Sequence, residues 1–192
     1  MIYEALSFIV QELNDYFGLR SDIAEQKIVL SNLVNQDGTP ALKEENKIVV
    51  SLVNIQEEKL GASSSSSIRN LKSMTGANPP LCLNLFVLFS AVFGSKLNEE
   101  ALKYISALVG FFQANHVFDS QSYSDLDSSI DKLVFEIYNM DFLEQNQLFG
   151  SLGAKYAPSV LYKIRMLVIE EGMIRRDIGD VSKPIPNLGG GM

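Results

Sequence analysis

This sequence predicts an α/β (α+β) fold, a single domain with a mixed central sheet of about five strands flanked by helices. Three observations carry that prediction. Residues 79–94, PPLCLNLFVLFSAVFG, are the most apolar stretch of the chain and repeat at period two. Two segments rich in β-branched residues precede it, at 27–34 (KIVLSNLV) and 47–56 (KIVVSLVNIQ). Stretches with apolar residues three and four positions apart lie on either side of this group, as amphipathic helices require.

The apolar stretch decides the class. A helix crossing a bilayer needs roughly 20 apolar residues at about 1.5 Å each, whereas 81–93 supplies 13 positions, Asn84 and Ser90 among them. A membrane span is therefore not expected. Leu81, Leu83, Leu85, Val87, Phe89, Ala91 and Phe93 form one unbroken apolar face, while Cys82, Asn84, Phe86, Leu88, Ser90 and Val92 form a mixed one. That alternation predicts a central strand buried fully on one face and largely on the other. Fully extended it spans about 43 Å at roughly 3.3 Å per residue, long for a globular strand, so a bulge, a bend or an early end near Ser90 is expected.

The other elements follow in order. Ile2, Ala5, Leu6, Ile9, Val10, Leu13, Tyr16 and Phe17 share one side of a first helix, and Gly18 follows where a left-handed cap is cheapest. The segments 27–34 and 47–56 are joined by NQDGTPALKEEN, whose DG pair signals a turn; they read as sequential antiparallel strands. Ser63 to Ser67 sit inside a connector, 59–78, whose small polar side chains bury too little to offset the entropy of ordering, so a flexible loop is expected. Asn98 before Glu99 and Glu100 reads as a helix N-cap with carboxylates in the first turn, followed by Ala101, Leu102, Ile105, Leu108, Val109 and Phe112 to about Asn115. Residues 131–139 (DKLVFEIYN) alternate as a half-buried strand. Asp141 and Glu144 form a capping pattern ahead of a short helix ending near Gly150, and 159–170 sets Val160, Tyr162, Ile164, Met166 and Val168 opposite Leu161, Lys163, Arg165, Leu167 and Ile169 in a last strand. Residues 1–170 thus form the domain, and 171–192, rich in proline and glycine, reads as an extended C-terminal arm.

Composition narrows the function. A net charge of -7 argues against a nucleic-acid partner, because phosphate binders concentrate Lys and Arg on one face. The first residues, MIYEALSFIVQELNDYF, lack a basic leader and a small-residue cleavage site, so synthesis in the cytoplasm is the default expectation. Cys82 is the one cysteine, and inside an apolar strand it reads as a small buried hydrophobe. His116 is the one histidine, which excludes a multi-histidine metal site.

The motifs point away from catalysis. GSLGAK at 150–155 lacks the spacing of a phosphate loop and of a nucleophile elbow, and reads as a helix stop and turn. The adjacent acid pairs, Glu44-Glu45, Glu57-Glu58, Glu99-Glu100 and Glu170-Glu171, include strand neighbours that point to opposite faces, the wrong arrangement for a shared acid and base. No catalytic, metal or cofactor residues are assigned, and no enzymatic activity is expected. Arg165, on one face of the last strand with Lys163, needs solvent or a carboxylate, the latter from a neighbouring strand or from a neighbouring subunit.

Five phrases in order carry a resemblance: MIYEALSFIVQELNDYF, IVVSLVNIQEE, PPLCLNLFVLFSAVF, FFQANHVF and LFGSLGAKYAPSVLYKIRML. Together, over about 1–170, they resemble the cap, or tail-terminator, family of phage-tail-like extracellular contractile injection systems, of the virulence-cassette and antifeeding-prophage type. The serine-rich connector and the glycine-ended tail depart from that family. The resemblance implies a structural protein that closes the end of the sheath and inner tube distal to the baseplate, in a particle released from the cell. It also implies a homo-oligomer, a hexameric ring, with the sheath protein and the inner-tube protein as partners. Asn54, Glu57 and Glu58 at a strand end, Tyr162, Lys163 and Arg165, and Arg175 and Arg176 in the arm are the expected contact residues. A ligand-binding or enzymatic α/β domain with no recognisable site is the alternative.

Overall fold

The structure, a computed structural model, describes residues 1–20, 27–42, 46–58, 81–94 and 96–168. The elements are α1 (Ile2–Arg20), β1 (Ile28–Leu30), β2 (Lys47–Glu57), β3 (Leu81–Val92), α2 (Asn98–Ala114), β4 (Val117–Asp119), β5 (Ile130–Ile137), α3 (Phe142–Leu152) and β6 (Ser159–Val168). The strands form one six-stranded sheet in the order β1-β2-β3-β6-β5-β4. The apolar stretch is the third strand of the six, as its two-sided hydrophobicity requires.

Alternation along β3 assigns its two faces. Leu83, Leu85, Val87, Phe89 and Ala91 join the main core with α1, α2 and the inward residues of β5 and β6. Phe86 and Leu88 point the other way, into a smaller cluster with Leu161 and with Phe149 of α3. The molecule thus has three layers: two helices, the sheet and one helix. In the main core Phe112 stacks on Phe135 with centroids 4.4 Å apart and planes 12° from parallel, and it meets Tyr162 at 4.7 Å. Each such pair adds about 0.5–1.5 kcal/mol beyond area burial.

Several expectations are corrected. β1 and β2 pair in parallel, with Ile28 opposite Ile48, where an antiparallel pair was expected. The DG turn explains this: Gly38 (φ 83°) lets the chain reverse within 34–40, closing an antiparallel bridge between Val34 and Pro40. The DG reversal thus pairs the connection with itself and does not join β1 to β2 directly. The sheet has six strands because Val117–Asp119 adds a three-residue edge to β5, too short to register as a periodic pattern. β3 keeps unbroken register with β6 from Leu81 to Ser90 and runs on to Val92; the irregularity sits opposite it, on β2 between Leu52 and Asn54.

Helix ends differ too. α1 continues past Gly18 to Arg20. Asn98 is already helical, and Leu97 occupies the N-cap position without a side-chain hydrogen bond. α3 runs through Gly150, and the left-handed cap falls on Gly153 (φ 65°), after which the Ala154 N–H donates to the Phe149 carbonyl at 3.1 Å. The capping box at its other end forms as expected: the Glu144 N–H donates to Asp141 Oδ1 at 2.8 Å and the Asp141 N–H to Glu144 Oε2 at 3.0 Å. The serine-rich connector and the C-terminal arm lie outside the described residues.

Candidate functional site

Two surfaces stand out, one on the sheet and one on α3. On the α3 side of the sheet, register aligns Asn54, Phe86, Lys163 and Glu136 in one row, with Gln56, Asn84, Arg165 and Val134 in the row two positions on. Arg165 Nε donates to Glu58 Oε2 at 2.7 Å, and its Nη2 approaches Glu136 Oε1 at 3.9 Å. Arg165 thus has a carboxylate partner within the chain. The hydrogen bond to Glu58 holds the guanidinium pKa above its ordinary value.

Cys82 lies beneath this pair, buried, with Sγ 3.9 Å from Glu58 Oε2. Burial, and then the Glu58 carboxylate, push its thiol pKa up, so it is a poor nucleophile. Asn84 is buried beside it, and its Oδ1 has no hydrogen-bond partner among the described residues.

The expected contact residues divide. Lys163 and Arg165 are partly exposed on the sheet face, Glu57 is exposed at the end of β2, and Glu58 is engaged by Arg165. Asn54 is exposed but turns its Oδ1 to its neighbour, accepting from the Ile55 N–H at 2.9 Å. β1 covers only Ile48, Val49 and Val50 on the outer side of β2, so that hydrogen bond satisfies a donor on an edge no described strand covers. Tyr162 is a correction: it is 2 % exposed in the main core, and its side chain offers no surface to a partner. Burial raises its phenol pKa to about 12, and its hydroxyl has no hydrogen-bond partner among the described residues. Arg175 and Arg176 lie outside the described residues.

The second surface escaped the sequence reading. Phe142 and Leu143, the first two residues of α3, are 91 % and 64 % exposed, and Ile137 and Tyr138 extend this apolar surface along the chain. At the other end of α3 an open groove of ≈ 680 Å³ runs between the 33–40 turn, the end of β3 and the 153–158 segment. Leu33, Pro40, Phe93, Tyr156 and Pro158 are among its lining residues, and Lys155 is the only charged one among those described. The sequence signal for the first feature was Phe142 directly after an N-cap aspartate, a position whose side chain leaves the helix before the buried stripe begins.

Among the described residues no group of His, Cys, Asp and Glu could hold a metal ion, and no helix is long and apolar enough to cross a membrane. Residues 5–182 match the Pvc16 N-terminal domain. The chain belongs to that family.

A cryo-EM structure of an extracellular contractile injection system, the PVC sheath/tube terminator in its extended state, shares the fold with a TM-score of 0.57 at 12% identity. The alignment covers 100% of this chain and 63% of that one, so this Pvc16 domain spans less than two thirds of its structural neighbour. No curated protein matches the chain. The resemblance carried by the five sequence phrases is met by both the family and the fold.

Proposed function

We propose that this chain is a structural terminator of a phage-tail-like contractile injection particle, closing sheath and inner tube at the end distal to the baseplate. The observation that carries the reading is membership of the Pvc16 N-terminal domain family over residues 5–182; the fold shared with a PVC sheath/tube terminator supports it. The chain acts by binding and without turnover, as a hexameric ring whose partners are the sheath and inner-tube proteins, in a particle made in the bacterial cytoplasm. Residues 1–170 form the ring-building domain, and Arg175 and Arg176 are among the residues proposed to contact neighbours.

Physical chemistry supports this role. A head-to-tail contact repeated around a rotation that closes gives a ring without any self-complementary patch. The outer edge of β2 beyond Val50 and the Lys163–Arg165 face are surfaces on which such neighbours can pair by backbone or by charge. The test is deletion of the gene in a strain that assembles particles, followed by electron microscopy of purified particles and mass spectrometry of their components. Particles of uncontrolled or unstable length, and copurification of the chain with sheath and tube proteins from the intact strain, are expected. Particles of normal length and stability without it overturn the reading.

A further inference from the structure

The knob and the groove at the two ends of α3 carry an inference about how copies of this chain meet. Phe142 and Leu143 project from the first turn, and the Asp141–Glu144 capping box fixes the direction in which that turn starts. An aromatic ring 91 % exposed on a rigid helix start has little reason to face water unless something covers it in the assembled state. The groove at the other end is concave and mainly apolar, and its ≈ 680 Å³ falls within the range of pockets that enclose whole side-chain groups. Charge matches as well: Lys155 is the only charge among the described groove residues, and Asp141 and Glu144 flank the knob.

We propose that Phe142 and Leu143 of one copy insert into the groove lined by Leu33, Phe93, Tyr156 and Pro158 of a second copy, with Lys155 facing Asp141 and Glu144 across the contact. The proposal deepens the ring reading above and rests on it for the number of copies. Knob and groove lie at opposite ends of one 11-residue helix, about 16 Å apart at roughly 1.5 Å per residue. One copy therefore cannot satisfy itself. Because the two surfaces differ, the contact is head-to-tail and propagates from copy to copy until the rotation closes.

The test introduces one cysteine on each surface, Phe142→Cys and Ala157→Cys, in the full chain; the native Cys82 is buried and does not compete. Particles carrying the double variant are oxidised and run on a non-reducing gel. A ladder of covalent multimers of this chain is expected, with neither single variant giving one. Monomer alone from particles that contain the chain, or a product that joins Phe142→Cys to a sheath or tube subunit, overturns the contact and leaves the terminator role standing. Absence of the chain from the particles instead refutes the terminator role, and oxidation of the concentrated purified double variant then decides the contact, a ladder supporting it and monomer overturning it. Phe142→Asp is the second variant: circular dichroism unchanged, with self-association weakened at least tenfold, is expected, and unchanged self-association overturns the proposal.

Discussion

Asn14 fastens the first helix to the edge of the sheet, and its removal is a quantitative test of that reading. Its Nδ2 donates to the Ile28 carbonyl at 2.9 Å and to the Val10 carbonyl at 3.0 Å, while its Oδ1 accepts from the Ile28 N–H at 3.0 Å. The side chain thereby takes the place of a further strand, satisfying the outward backbone groups of Ile28, a residue only 1 % exposed. Asn14→Ala leaves one donor and one acceptor without these partners. At about 1 kcal/mol for each net hydrogen bond, and more for a buried group left unpaired, the expected cost is about 2–3 kcal/mol. For a chain of this size that corresponds to a fall in Tm of about 4–12 °C, read by differential scanning calorimetry or thermal circular dichroism.

Asn14→Asp sharpens the test through its pH dependence. The introduced carboxylate still accepts from Ile28 but faces two carbonyl oxygens where the amide donated. Protonation restores a donor, so the folded-state pKa of the introduced group lies above its unfolded value. Its contribution is then fully present below the unfolded pKa and is lost as pH rises through the folded one. The variant should therefore approach the native protein in stability as pH falls below the carboxyl range, relative to the native protein at the same pH. A loss under 0.5 kcal/mol for Asn14→Ala (on the order of a neutral surface substitution), or an Asn14→Asp penalty that does not vary with pH, refutes the account of Asn14 as an edge clasp.

Other substitutions probe single claims. Gly153→Ala places a side chain at φ 65° with open space around it, so backbone conformation alone sets its cost, about 1 kcal/mol by urea unfolding. Gly150→Ala, inside α3 and with nothing within 4 Å, should instead stabilise by about 0.5–1 kcal/mol; equal effects at the two positions contradict the helix end assigned here. Tyr162→Phe removes a buried hydroxyl without a described partner, so stability at pH 7 should be unchanged or higher. Because burial raises the Tyr162 pKa to about 12 from 10, the unfolded chain loses that proton first, and native stability falls as pH rises from about 10 toward 12. The phenylalanine variant should lose less than the native protein over that window, measured by denaturant unfolding. Arg165→Gln breaks a pair in which Arg165 is 39% exposed, and a loss of about 1 kcal/mol or less is expected; a loss above about 3 kcal/mol would place the pair among buried ones.

What the sequence makes legible follows the range of the interactions involved. The Asp141–Glu144 capping box is written within four residues and forms as read. The two-faced strand is legible because its side chains report both layers at once, and the resemblance adds the family because five phrases recur in order. Arg165 shows only the need for an acid; its partner Glu58 lies 107 positions away and is brought to it only by the folded sheet, across β3. The parallel pairing of β1 and β2 depends on where the DG reversal is spent, which local turn chemistry does not say. Tyr162 is legible in part, since alternation groups it with Ile164 and Met166, which share its core face, whereas Lys163 and Arg165 alternate with it. The α3 knob and groove depend on which face of the sheet the helix covers, a tertiary choice with no local signature.

The terminator role is tested most directly by locating this chain in intact particles by cryo-EM, with and without an N-terminal tag. The account predicts extra tag density in a six-fold ring at the baseplate-distal end, in contact with sheath and tube. Density at the baseplate, or particles complete at both ends without the chain, would contradict it.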